Sequence, residues 1–309
     1  MPSIKEIIQT LENIAPLSLQ ENYDNAGLIV GNENQEVTGI LVALDCIEEV
    51  VDEAIRTGCN LIIAHHPIIF SGIKKLNGKN YVERTVIKAI QNNIAGYASH
   101  TNLDNVHEGV NRKICEKIGL KNPTVLAPKK NALRKLVTFC PKDKADTIRT
   151  ALFEAGCGHI GNYDECSFNT DGTGTFRASE NSNPYVGEKG KRHGESETRI
   201  ETIFPVHLER NVIAALLSAH PYEEVAYDIY PLENMHPQTG AGMVGELESA
   251  IDEHEFLTRI KSVMKTGVIR HTRLLGKKVS KIAVCGGSGS FLLQEAIRSV
   301  TSELAKQFM

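Results

Sequence analysis

Two adjacent imidazoles, His65 and His66, close the apolar run NLIIAHHPIIF (60–70), and Pro67 follows them directly. Imidazole is a metal-ligating side chain, and open α/β sheets bind ligands at the carboxyl ends of their strands. Successive strand residues face opposite ways, so the two rings diverge unless the backbone bends; Pro67 favours such a bend. Diverging imidazoles suit two neighbouring ions, which two-metal sites hold roughly 3.5–4 Å apart. A backbone carbonyl satisfies a single strand-end histidine well enough, but a doublet points to ligation. The segment YASHTNLDNVHEGVN (97–111) follows the next strand and brings His100, Asp104 and His107 to the same sheet edge. Asp104 has the chemistry of a carboxylate bridging two ions. His100 is a further ligand, a group supporting the ligands, or a proton donor. The plain alternative is a loop capping a helix that begins near Glu108, but Asp104 lies four positions before that start, too far for a simple cap.

Other polar clusters read differently. Asp45 opens DCIE, the spacing of a capping box with Glu48 reaching back, and is taken as structural. In CGGSGS (285–290), Gly287, Ser288 and Gly289 offer backbone N–H groups to an anion at a strand-to-helix turn, without the lysine of a phosphate-binding loop. AHPYEEVAYD (219–228) is read as a tight turn with a solvated acidic face. Asp24 and Asn25 in NYDNAGLIVG (22–31) are read as a turn that could contribute to a pocket wall.

The elements that must position these residues alternate in type. Apolar spacing predicts strands at 39–44, 60–64 and 94–99 and helices at 47–58, 81–93 and 109–120, the grammar of βαβ units around a largely parallel sheet. SKIAVCGGSGSFLLQEAIRS (280–299) repeats that grammar. Between them lies an internal repeat. A shift of 64 residues aligns VTFCPKDKADTIRTALFEAG (137–156) with IETIFPVHLERNVIAALLSAH (200–220), placing Pro141 on Pro205, Leu152 on Leu216 and Tyr163 on Tyr227. Two tandem βαβ copies make a ferredoxin-like domain. The expected organisation is therefore a discontinuous α/β core, 1–128 plus 234–309, interrupted by an α+β domain at 129–233. The polar stretch 169–196 would be an excursion between the copies.

With 309 residues, two domains are expected. The net charge of −4 and the absence of a dense basic cluster argue against nucleic acid as a partner. No apolar stretch approaches a membrane span, and the first 16 residues form an amphipathic pattern without a signal-peptide core. Seven scattered cysteines without a C-x-x-C pair suggest reduced thiols in a cytoplasmic protein.

Taken together, NYDNAGLIVG, IIAHHPIIF, SHTNLD, GHIGNYDECSF, GTGTFR, NPYVGE, AHPYEEVAYDIYPL and CGGSGS resemble the GTP cyclohydrolase I type 2 homologues, also called NGG-interacting-factor-three-like dinuclear-metal-centre proteins. The resemblance runs from residue 1 to about 299 in the family's order. It implies a three-layer-type α/β core, a PII/CutA-like inserted domain, a toroidal homohexamer, and two divalent ions (zinc, iron, manganese or similar) per subunit. Carried over residue by residue, the implied ligands are His65, His66 and Asp104. The family pattern also implies a later histidine and glutamate in a GHYE-like motif, and no such motif follows residue 290 here. With the ending VTSELAKQFM, which looks truncated or frame-shifted, metal is expected to bind weakly or at one position. Two functions compete: a metal-dependent hydrolase of a nucleotide or heterocycle, GTP cyclohydrolase-like by the family's name, and a non-catalytic protein that holds or delivers metal or serves as a regulatory hexameric assembly. A titratable group beyond the ligands would favour the enzyme, and His100 is the candidate for it.

Overall fold

The structure, a computed structural model, describes residues 1–306. The chain divides into two compact units, residues 1–128 with 237–309 and residues 129–236. In the first unit, α1 (Ile4–Ile14) begins with a capping box in which Ser3 and Glu6 satisfy each other's backbone N–H groups. It is followed by β1 (Gly27–Val30), β2 (Ile40–Asp45), α2 (Glu48–Thr57), β3 (Leu61–His66), α3 (Tyr81–Gln91) and β4 (Ala95–Ala98). Next come a single turn, α4 (Thr101–Asp104), then α5 (Val110–Ile118) and β5 (Lys121–Pro128). Gly58, left-handed at φ 71°, ends α2 as only glycine does without strain.

The first sheet has the order β1-β4-β3-β2, with β2, β3 and β4 parallel and β1 antiparallel to β4. Strand alternation divides its apolar side chains between two helical layers. Leu61, Ala95 and Tyr97 pack with Ile4 and Ile8 of α1 on one face. Ile62 and Ala64 pack with Val51 and Ala54 of α2 and Val86 and Ala89 of α3 on the other. The result is the three-layer arrangement that the resemblance implies, and the strands read as continuous apolar runs because both faces are covered. Each fully buried aliphatic side chain contributes about 1.5–3 kcal/mol.

The inserted unit is β6 (Leu133–Pro141), α6 (Ala145–Glu154), β7 (Ser167–Arg177), β8 (Arg192–Pro205), α7 (Glu209–Ala219) and β9 (Tyr227–Leu232). Its sheet has the order β7-β8-β6-β9 with antiparallel neighbours, the ferredoxin-like βαββαβ topology. A short 3-10 turn after Pro141 and after Pro205 leads into each helix, as the repeat requires. Two details differ from the expectation. The polar stretch 169–196 is not wholly an excursion: half of it belongs to the paired strands β7 and β8, and 178–191 is the loop between them. Alternating Thr, Gly and Phe gave the strand period, but polar outward residues masked it. The repeat also slips at its second strands: β9 begins at Tyr227, but β7 begins at Ser167, after the aligned Tyr163.

The remainder of the first unit is β10 (Gly240–Asp252), α8 (Glu253–Val263), β11 (Lys278–Val284) and α9 (Leu293–Lys306). The 280–299 segment does not extend the parallel sheet: β11 joins a separate antiparallel sheet of order β11-β10-β5, packed against α5 and α8. Register partners Pro128 and Gly240 flank the insertion, so its two ends leave one sheet side by side. An inserted domain enters a core most easily where its ends meet. The segment read as departing from the family pattern is helical as far as Lys306, and the last three residues lie outside the described residues. No described helix is long and apolar enough to cross a membrane.

We propose that the insertion folds by itself, since Leu136, Ile148, Leu152, Ile200, Phe204, Val212 and Leu216 form one buried cluster inside it. Residues 129–236 expressed alone are expected to unfold in one cooperative transition, checked by circular dichroism. Burial holds His220 and His236, both within this unit, below the ordinary histidine value of 6.5. The unfolded chain then binds more protons just below that value, so stability is complete above pH 6.5 and declines as pH falls below it. Melting temperatures that stay constant between pH 8 and about pH 5.5 would contradict this.

Candidate metal centre

The doublet lies at the carboxyl end of β3, which continues through both histidines. The imidazoles do not diverge. Ring centroids of His65, His66 and His100 form a near-equilateral triangle, with sides of 5.0, 5.2 and 5.5 Å. One nitrogen from each ring lies within 4.8 Å of the others. Both histidines occupy the last two positions of β3, and anchors at Nδ1 set where each ring lies. His65 Nδ1 is 2.8 Å from the Ser99 carbonyl, His66 Nδ1 is 2.7 Å from Asp45 Oδ1, and His100 Nδ1 is 2.6 Å from Asp24 Oδ1. A carbonyl or carboxylate oxygen only accepts, so each Nδ1 carries the hydrogen, and Nε2 is the ring atom left to ligate. Orientation of ligating histidines by this kind of partner is general in metal sites.

Asp45 and His66 are register partners on adjacent parallel strands, which is why a residue 21 positions away reaches the ring. The capping-box reading of Asp45 is therefore overturned. Helix α2 is capped by Ile47 without a side-chain bond, and Glu48 instead pairs with Arg84 at 2.9 Å.

Asp24 was read as part of a turn; it is a buried anchor whose side chain is 0% exposed. It accepts from His100 Nδ1, from the Asn25 and Thr101 backbone N–H groups, and from the Thr101 hydroxyl. Burial alone would raise this carboxyl, but the hydrogen bonds from His100, Thr101 and Asn25 outweigh it and hold it below the ordinary aspartate value. The only sequence signal was Asp24 standing just before a short apolar strand, which turns share.

The polar residues of SHTNLDN fasten α4 to the chain around it. Asn102 donates to the Ala15 carbonyl, Asn105 to Leu19 and Glu21, and Asn111 to the Asp104 carbonyl. This places Asp104 beside the triad, with Oδ1 3.9 Å from His65 Nε2, too far for a hydrogen bond. That oxygen is buried and has no hydrogen-bond partner among the described residues. Burial raises the Asp104 carboxyl, with His65 and His100 opposing. Three imidazole nitrogens and one buried carboxylate oxygen are a donor set that fits a divalent transition metal. His107 is not in this group; its Nδ1 pairs with Glu108 at 2.7 Å.

The glycine turn lies beside Asp104. Gly286 N–H donates to Asn111 Oδ1, and a Cβ on Gly286 would stand 3.7 Å from Asp104 Oδ1. Gly287 has φ 67°, Gly289 precedes the 3-10 turn Ser290–Leu292, and Ser288 lies between them. At the rim, Phe70 meets the His100 ring edge-on at 6.3 Å and Tyr23 lies 6.3 Å from Phe70. Both aromatic side chains are largely exposed.

The family model for Duf34/NIF3 (NGG1p interacting factor 3) matches residues 2–306. A Halalkalibacterium halodurans protein named GTP cyclohydrolase 1 type 2 homolog is 41% identical over 94% of this chain and 79% of its own length. A Bacillus subtilis protein of the same name is 39% identical over 95% of this chain and 79% of its own. Among solved structures, a Bacillus cereus protein related to NIF3 matches with TM-score 0.84 and 42% identity, over 96% of this chain and 80% of that one. A Staphylococcus aureus protein matches with TM-score 0.72 and 31% identity, covering 96% of this chain and 79% of its own. A likeness that spans both units, in sequence and in structure, is a property of the whole chain: it belongs to the Duf34/NIF3 family.

Proposed function

We propose that His65, His66, His100 and Asp104 hold divalent metal and that the chain is a metal-dependent hydrolase of a nucleotide or other heterocyclic substrate. The observation that supports this reading is the meeting of three imidazole nitrogens beside a buried carboxylate oxygen that no donor among the described residues reaches. Asp104, as a bridging carboxylate, extends the proposal to two ions. A bound divalent ion supplies Lewis acidity and lowers the pKa of water at neutral pH. The protein does the positioning. Asp24, Asp45 and the Ser99 carbonyl hold the rings, and Phe70 and Tyr23 offer faces on which a planar heterocycle could stack. Gly287, Ser288 and Gly289 would turn backbone N–H groups toward a phosphate. The printed name of the relatives, GTP cyclohydrolase 1 type 2 homolog, makes GTP the first substrate to try.

The test is elemental analysis of the purified protein followed by a nucleotide-hydrolysis screen with and without chelator. Chelator-sensitive turnover is expected. Bound metal without turnover of any nucleotide would instead favour a second reading, in which the centre stores or delivers metal. That reading is supported by His100, whose place among the donors takes up the one residue kept for proton transfer.

The proposal includes a homo-oligomer, hexameric as the resemblance implies. Edge strand β2 turns Ile40, Val42 and Leu44 outward, and all three are exposed. Val42→Asp is expected to reduce the molar mass measured by light scattering. An unchanged mass would remove this face from the interface.

A further inference from the structure

The face of the inserted sheet turned away from α6 and α7 bears a cavity of about 600 Å³. Its floor comes from β6, β7 and β8, and its walls from the 178–191 loop and the turn after α7. Ile200 and Phe204 of β8 point into the helical core, whereas Glu197 and Arg199 belong to the opposite face. Glu197 is register partner of Gly172, so the floor beside its carboxylate is bare of side chains. A Cβ on Gly172 would meet nothing within 4 Å, and one on Gly174 would collide with the Glu197 carboxylate.

Three aromatic rings line the cavity with that carboxylate. Tyr222 lies 6.0 Å from Tyr185 and 6.5 Å from Phe176. Its loop is held by His220, whose Nε2–H donates to the Phe139 carbonyl at 3.0 Å and whose Nδ1 accepts from the Tyr222 backbone N–H. The Tyr222 hydroxyl donates to Glu197 Oε1 at 2.8 Å. Glu197 is only 8% exposed, and no side-chain donor among the described residues reaches its Oε2. The acidic run of AHPYEEVAYD is thus part of a wall rather than a merely solvated face.

Three carboxylates, Glu197, Glu223 and Glu224, and one guanidinium, Arg199, line the cavity, whereas Asp171, register partner of Thr198, turns its carboxylate to Lys142 at 2.8 Å and to the Thr198 hydroxyl. Arg199 is already paired with Glu201 at 2.9 Å and lies against the Phe139 ring. An anionic ligand would face excess negative charge, and a neutral apolar one would leave the second Glu197 oxygen buried without a donor. A cation with apolar substituents satisfies both the aromatic rings and the carboxylate. We infer that this cavity binds an organic ammonium, with its head between Phe176, Tyr185, Tyr222 and Glu197 and an apolar body filling the remaining space.

The test uses the full chain and three probes of similar size: phenethylammonium, phenethyl alcohol and hydrocinnamate, followed by calorimetry and saturation-transfer NMR. The ammonium is expected to bind at least about tenfold more tightly than the alcohol. Glu197→Gln should bring the two to within about twofold, a charge effect that lost packing would not produce. Gly172→Leu, at a position with open space and ordinary φ, should block all three probes while leaving the melting temperature unchanged. Equal binding of ammonium and alcohol by the unaltered chain, preference for the carboxylate, no ammonium binding at about 10 mM, or full binding by Gly172→Leu would each overturn the inference. Should Glu197→Gln fail to fold, the probe preference and Gly172→Leu still decide it.

Discussion

His65→Ala is expected to lower the metal content of the purified protein by at least about tenfold, with His66→Ala and Asp104→Asn close behind. Each imidazole supplies one ring nitrogen to a group whose members lie within 4.8 Å, so removing one leaves an ion short of a donor. The fold should survive these changes. His66 is exposed, His65 is half-buried at the end of β3, and neither belongs to an apolar core cluster. Asp104→Asn separates metal binding from stability most cleanly. In the metal-free protein it replaces a buried, unpartnered carboxylate oxygen with a neutral amide, which removes a desolvation cost. The metal-free variant should therefore melt no lower than the unaltered protein, while its metal content falls. Elemental analysis beside thermal melts in chelator checks both halves. Unchanged metal stoichiometry in all three variants would end the proposal for this centre.

Asp24→Ala should damage both the centre and the fold. It removes the acceptor for His100 Nδ1, for two backbone N–H groups and for the Thr101 hydroxyl, all around a side chain shielded from water. The orphaned donors should cost about 3 kcal/mol. Freed from its anchor, His100 should lose its ring orientation, and metal affinity should fall about 10–100-fold even though Asp24 donates nothing to the ion. The sign with pH is also defined. Asp24 is depressed below its ordinary value of 3.8, so its contribution is complete above that pH and disappears as pH falls through the lower, folded-state value. Denaturant unfolding at pH 7 and at pH 3 separates the cases. A variant equally destabilised at both pH values would show that shape, not the ionised acceptor, is what matters at position 24.

Much of the core was legible because its periodicities are strong. Residues 61–64 are apolar at every position, a pattern that needs cover on both faces, and α1 with α2 and α3 provides it. The repeat was legible through Pro141 and Pro205, which lead into the two helices of the insertion. The β7–β8 hairpin was not, because its outward residues are polar and its glycines mimic a loop. The separate sheet of β5, β10 and β11 was equally hidden: a strand followed by a helix looks the same whether its partners are parallel or antiparallel, and pairing joins segments more than a hundred residues apart.

The sequence by itself determined that imidazoles stand at a strand end, because a run of apolar residues followed by His65, His66 and Pro67 allows little else. It also placed His100 and Asp104 after the next strand, at the same edge. Only the tertiary structure decided that His100 stands with the other two as a donor, because the parallel register of β3 and β4 sets their carboxyl ends side by side. The same register moved Asp45 from helix cap to anchor of His66, and the fastening of α4 to residues 15–24 brought Asp24 to His100 across 76 positions. Local spacing carries no information about such partners. Hydrogen bonds between strand ends and loops depend on which segments the core brings together, and that is settled by burial across the whole sheet.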